Sequence, residues 1–179
     1  MKKFVLMVMV AVATMTASAQ LYVGGEVGLW REWQNGANKS FATILPEVGY
    51  VLDDSWAIGT VIGYIYQYDK GAKCNALEVA PYARYTFLKL DKVNVFVDGG
   101  FGFYTYKWKY KGFKGEAQNA WEVGLKPGVA VNLNDKLSFV THFGFLGYRD
   151  ADEAPIFGRN GFGLDASGNA LTFGLYWNF

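Results

Sequence analysis

Eight ionisable residues of this 179-residue chain share the small-residue face of alternating segments: Glu26, Glu47, Glu78, Arg84, Asp98, Glu122, Lys126 and His142. Carboxylates, a guanidinium, an ammonium and the single imidazole are the groups that relay protons, run general acid–base steps or pair as ions. A hydrolytic reading needs a hydroxyl within hydrogen-bond reach of His142. Ser138 shares its face, but four residues of extended chain separate them by about 13 Å. The sequence has no metal-ligand cluster, phosphate loop or nucleophile elbow. No catalytic, cofactor-binding or metal residue is therefore assigned, and no enzyme or cofactor is expected. A proton path and a charge-paired interior plug remain. Removing one partner of a buried ion pair destabilises a fold by about 3–5 kcal/mol, so such groups have to pair, which favours the plug.

Strands must position these groups. The last nine residues, from Leu171 to Phe179, place Leu, Phe, Leu, Trp and Phe on one face and Thr, Gly, Tyr and Asn on the other. That period of two marks a strand with one apolar face. Alternation and turn chemistry predict eight strands, at 21–31, 40–52, 55–67, 76–88, 92–106, 118–132, 136–147 and 169–179. Leu52-Asp53-Asp54-Ser55, Lys89-Leu90-Asp91 and Leu133-Asn134-Asp135 read as short turns. The other connections read as longer and more polar. Short turns at one end and long loops at the other, with an even strand number, describe an eight-stranded antiparallel up-and-down transmembrane β-barrel. Within the strands, Leu, Val and Phe take one face and nearly every charge takes the glycine face. A soluble ligand-binding barrel would invert that arrangement, and water on the apolar face would wet a very large patch. Trp56 and Trp177 near the short turns, and Trp33, Tyr66 and Trp121 near the other end, fit aromatic girdles.

Counted up from the short turns, Glu26, Glu47, Arg84, Asp98, Lys126 and His142 form one inward layer, with Glu78 and Glu122 higher. Arg84, Asp98 and Lys126 fall side by side on neighbouring strands, a cation–anion–cation row. Glu26 and Glu47 need partners across the lumen, with Lys126 and His142 as candidates.

Lys2 and Lys3, an apolar run from Phe4 to Val12 and Ala17-Ser18-Ala19 read as a signal peptide over residues 1–19, leaving the barrel as 20–179. The leader takes two of the chain's 17 basic residues, against 16 acidic ones. A chain so near neutral carries no nucleic-acid footprint. Cys74, the only cysteine, is expected reduced in a loop. Lys107, Trp108, Lys109, Tyr110, Lys111 and Lys114 form a cation–aromatic stretch. It reads either as a solvated hairpin or as a surface that takes lipopolysaccharide phosphates. The glycines between Gly158 and Gly163 point to a mobile last loop.

Three segments carry a family resemblance: Leu45-Pro46-Glu47-Val48-Gly49-Tyr50, Asp54-Ser55-Trp56-Ala57-Ile58-Gly59 and Ala80-Pro81-Tyr82-Ala83-Arg84-Tyr85. In that order they resemble the outer-membrane beta-barrel domain proteins abundant in Bacteroidetes and, more distantly, the OmpA and OmpX barrels. The ending, with Thr172, Gly174, Trp177 and Phe179, resembles the signal read by the barrel-assembly machinery. The resemblance implies the fold and a place in the bacterial outer membrane; the chain is expected to be a monomer in contact with lipid and lipopolysaccharide. A structural or surface-interaction role is the first reading; a narrow porin-like channel and a PorT-like subunit of a secretion or envelope complex are the others. The leader reading has a direct check: intact-mass and N-terminal analysis of the exported protein should find Gln20 first, and a retained residue 1–19 segment would refute it.

Overall fold

The computed structural model describes residues 20–34, 37–151, 160–166 and 171–179. The leader therefore lies outside the described residues. So do residues 35–36, 152–159 and 167–170. Eleven β-segments build one antiparallel sheet. They are β1 (Gln20–Gln34), β2 (Ala37–Val51), β3 (Trp56–Asp69), β4 (Ala72–Lys89), β5 (Val93–Tyr110), β6 (Phe113–Lys114), β7 (Gln118–Asn132), β8 (Leu137–Phe143), β9 (Phe145–Asp150), β10 (Gly161–Asp165) and β11 (Leu171–Asn178). β6 with β7, β8 with β9, and β10 with β11 make single staves, which gives a closed eight-stranded barrel.

Closure comes from the two ends of the chain. β1 pairs with β11 from Tyr22↔Asn178 to Glu26↔Gly174. β1 and β2 pair much further, from Gln20↔Val51 to Gln34↔Ala37. Above Glu26, the described pairings of β1 are with β2 alone, and those of β10 are with β9 alone. The ladders are interrupted where prolines sit. Pro46 falls in a gap between β2 and β3, and Pro81 in one between β4 and β5. Pro127 falls where β7 changes partner from β8 to β9. A proline cannot donate to a ladder, so gaps and bulges are where a strand tolerates it. Opposite Pro127, Gly144 has φ of 94° and separates β8 from β9, a glycine bulge that takes up one extra residue.

The three short turns stand as expected. In the first, the Asp53 carboxylate accepts the backbone N–H of Ser55 at 2.7 Å and of Trp56 at 2.9 Å, the Ser55 bond first holding its pKa below the usual carboxylate range. Asn134 does the same for Lys136 and Leu137. At the other end the expectation of long loops needs correction. β3 and β4 meet at Lys70-Gly71, and β5 and β6 at Lys111-Gly112. Both pairs have positive φ, 47° and 92° in one and 45° and 90° in the other. These are the dihedrals of type I′ hairpin turns, whose twist matches that of the flanking strands. The polar residues expected in loops instead prolong the strands. Cys74 is corrected for the same reason: β4 begins at Ala72, and the free thiol faces inward, fully buried. Of the stretch expected to be mobile, 161–163 belong to β10, and 158–159 lie outside the described residues.

The faces agree with the alternation. Leu29, Ile44, Ile62, Leu77, Phe101, Val123, Leu146 and Leu175 are exposed on the outside, and Trp56, Trp121 and Trp177 join them. The side chain of Trp33 lies outside the described residues. Inside, aromatic rings lie over glycines directly opposite them: Tyr22 over Gly49, Tyr176 over Gly24, Tyr82 over Gly59 and Phe96 over Gly128. A Cβ at any of these glycines would overlap its ring. The glycine face is thus a set of seats for flat side chains in a narrow interior. Gly49→Val should destabilise the barrel by about 1–3 kcal/mol through overpacking. Gly163→Val, with nothing within 4 Å, should stay within about 0.5 kcal/mol. Urea unfolding in lipid vesicles reads both, and equal midpoints would contradict the seating.

Candidate functional site

The lumen holds two polar clusters. The lower one starts from the directly opposed pair Arg84 and Asp98. Arg84 Nε donates to Asp98 Oδ1 at 2.7 Å and a terminal nitrogen donates to Oδ2 at 2.8 Å, a bidentate fork. His142 Nε2 reaches the same Oδ2 at 2.9 Å, while its Nδ1 lies 3.0 Å from Glu26 Oε1. Both nitrogens donate only in the imidazolium form, so this is a cation between two anions. Thr172 Oγ1 also donates to Glu26, at 3.0 Å. On the other side of Arg84, Glu47 accepts the hydroxyls of Tyr82 and Tyr176 and lies 3.7 Å from the guanidinium. The Tyr22 and Tyr82 hydroxyls also bond to each other. Arg84 stacks over Phe96, 3.9 Å from the ring centroid. The network runs Thr172–Glu26–His142–Asp98–Arg84–Glu47 and joins β11, β1, β8, β5, β4 and β2 across the lumen.

The upper cluster centres on Glu122. Its Oε1 accepts Lys126 Nζ at 2.7 Å and Tyr104 Oη at 2.9 Å, and its Oε2 accepts Arg149 Nε at 2.8 Å. Tyr104 reaches Glu78 at 3.1 Å, and Arg149 stacks over Phe145 at 4.0 Å. Here two carboxylates face two cations; below, three carboxylates face Arg84 and His142.

Two cavities flank the lower network. One of about 640 Å³ lies toward the short turns, between Asp53, Lys92, Asn134 and Asn178 at its rim and Tyr22, Arg84, Phe96 and Tyr176 above. The second, about 570 Å³, lies between the clusters and is lined by Glu47, Glu78, Asp98, Glu122, Lys126 and His142, among others. Toward the far end the interior turns apolar: Ile65, Cys74, Ala76, Tyr104, Tyr106, Ala120 and Ala151 pack together, with Phe41, Leu45 and Trp108 against them. This explains why the inward face of β3 carries Ile65; Val61, opposite Glu47, lines the second cavity.

The structure thus brings together all eight lumen residues named from the sequence, with one rearrangement. Lys126 does stand beside Asp98 in register, but its side chain pairs with Glu122 in the upper cluster. The second cation on Asp98 is His142. Glu47 is served by Arg84 rather than by Lys126, and Glu26 by His142 as anticipated. Arg149, Phe96 and the four tyrosines were not named as members of the network, although Tyr22, Tyr104 and Tyr176 share the glycine face. Arg149 sits beyond a bulge that shifts the alternation, whereas the rings could have been found from their parity with glycine. Ser138 donates to Asn132 at 2.9 Å, so its hydroxyl engages a neighbour other than His142. No group of three or more potential metal-ligating side chains occurs among the described residues. In the cation–aromatic stretch, Lys107 and Lys109 are exposed, while Trp108 packs over the interior; Tyr110 lies under Lys111, 5.4 Å from its ammonium. The terminal strand turns Thr172, Gly174 and Tyr176 inward and Phe173, Leu175 and Trp177 outward; Phe179 is exposed.

A closed antiparallel cylinder, apolar outside and ion-paired within, is the architecture of a transmembrane β-barrel. The family model for the outer membrane protein beta-barrel domain matches residues 4–179, and the chain belongs to that family. Its fold is similar to that of the N-terminal barrel domain of Pseudomonas aeruginosa OprF, at 13% identity and a TM-score of 0.57, covering 89% of this chain and 97% of that one. Neisserial surface protein A (NspA) is similar at 11% identity and a TM-score of 0.54, covering 90% and 96%. A major outer membrane protein from Thermus thermophilus is similar at 14% identity and a TM-score of 0.53, covering 90% and 100%. No curated protein sequence matches.

Arg84→Ala would take from Glu47 its ion-pair partner and leave Asp98 with His142 alone, and should cost about 3–5 kcal/mol. Lys92→Ala, at an exposed turn, should change stability by less than about 0.5 kcal/mol. Unfolding midpoints in vesicles decide, and equal losses would count against the lower network as the anchor of the lumen.

Proposed function

We propose that this outer-membrane barrel has a structural or surface-interaction role, with its lumen plugged by the ion-paired network rather than open to solutes. The observation that carries this reading is the chain of contacts from Thr172 to Glu47, which crosses the interior and recruits six staves. Above it, Ile65, Ala76 and Tyr106 belong to an apolar cluster, and apolar packing is an unfavourable path for hydrated ions. Family membership supports an outer-membrane location, and the charged start and apolar run of residues 1–19 fit a cleaved export leader. The apolar-out alternation of β11 supports recognition by the barrel-assembly machinery.

A narrow channel is the second reading. One observation favours it: the lower network stands between cavities of about 640 Å³ and 570 Å³, with Arg84 lining the first and Glu47, Asp98 and His142 the second. Planar-bilayer recording of the refolded barrel separates the two. The plugged reading expects no resolved conductance steps in molar potassium chloride, and sustained steps that scale with inserted protein would replace it with the channel.

A further inference from the structure

The outward face of the sheet changes character above Leu77. On β3, β4 and β5 the last aliphatic rung is Tyr64↔Leu77↔Thr105. Below it stand Ile62, Val79 and Phe103, all exposed to the surroundings of the barrel. The next outward rung is Tyr66↔Asn75↔Lys107, and the one beyond is Tyr68↔Lys73↔Lys109. The second of these continues onto β6, where Lys114 stands opposite Lys109. Successive outward rungs are two residues, or about 7 Å, apart along a strand. Lys73, Lys107, Lys109 and Lys114 are all exposed. The Tyr64 hydroxyl donates to Asn75 Oδ1 at 2.6 Å, so a ring on the apolar side turns its polar tip to the first polar rung, as interfacial tyrosines do.

This arrangement is unfavourable by itself. Lys73, Lys109 and Lys114 are directly opposed across three neighbouring strands, and like charges facing one another weaken a sheet. On β3 through β6, the only carboxylate above Glu78 is Asp69, and it is engaged by Lys39 at 3.9 Å; just past β6, Glu116 is a single exposed carboxylate against four lysines. A row of cations held on rigid strands, one to two rungs above the apolar belt, lacks an anion that the strands themselves supply. Anionic groups are abundant at that height only in the headgroup layer that borders the belt.

We propose that this wall binds the phosphates of an outer-leaflet glycolipid headgroup of the lipid A type, with Lys73, Lys107, Lys109 and Lys114 as the cations and Asn75 beside them. The proposal rests on the outer-membrane reading and names the lipid that reading leaves open. Acyl chains of the same molecule would lie along Leu77, Val79 and Phe103, so that one ligand spans both surfaces. Lysines act here as point charges toward phosphate, and salt should weaken the contact.

The test uses the mature chain, refolded and titrated in zwitterionic detergent with bisphosphorylated lipid A and with its dephosphorylated form, read by native mass spectrometry. The barrel should prefer the phosphorylated form by at least about tenfold, less so as ionic strength rises. K73Q/K107Q/K109Q/K114Q should lose that preference, while K89Q/K92Q/K136Q, at the short-turn end, should keep it. If the fourfold variant fails to fold, K73Q/K109Q and K107Q/K114Q take its place, each with a reduced preference. Equal affinity for the two lipids, or an undiminished preference in the lysine variants, would overturn the proposal while leaving a membrane barrel standing. Failure of the unaltered chain to insert into vesicles at all would overturn both.

Discussion

Hydrocarbon offers a peptide group no hydrogen bond. In such a solvent a sheet cannot end in a free edge, so the first strand has to find the last, and every side chain must choose between lipid and a sealed interior. The rest of this molecule answers to that constraint. Alternation sends Leu, Val, Ile and Phe outward. At the height of that apolar belt the charges go inside, where burial makes each depend on a partner. They are therefore bound to one another: Asp98 between Arg84 and His142, and Glu122 between Lys126 and Arg149.

Much of this was legible in the chain. A period of two needs only side-chain types, so the eight staves and both faces could be read directly. The opposition of Arg84 to Asp98 and of Asp98 to Lys126 followed from counting up from the turns, because register is fixed once a tight turn and a buried face agree. What failed is instructive. Lys126 has a long flexible stem, and its backbone register did not determine which carboxylate its ammonium would reach; Glu122, on the same strand face, took it. Arg149 lay beyond the bulge at Gly144, where a single extra residue breaks any count by twos. Cys74 and the outer hairpins were misplaced because polarity was taken to mean loop. Strands that project beyond the membrane are polar too, and the Lys-Gly pairs at 70–71 and 111–112 were the better signal.

The narrow interior also explains the abundance of glycine. A ring laid across a neighbouring strand needs the opposite residue to have no side chain, and Gly24, Gly49, Gly59 and Gly128 supply that space. Tyrosine suits the seats because its flat body packs while its hydroxyl reaches a carboxylate. Glu47 takes two such hydroxyls, from Tyr82 and Tyr176. Packing and charge neutralisation are thus performed by the same residues, which leaves little freedom to vary one without the other.

The short closing ladder carries a kinetic consequence. Tyr22 meets Asn178 across nearly the entire length of the polypeptide, so the joint that completes the ring is also the contact of highest sequence separation, and such contacts are reached late and slowly. Until then the molecule is a curl with two bare margins, and β1 and β11 are the segments that most need shelter from other chains. The Thr172–Glu26–His142 contacts sit at the upper limit of that joint, where they act as a latch: polar groups that find their partners only when the curl has become a cylinder.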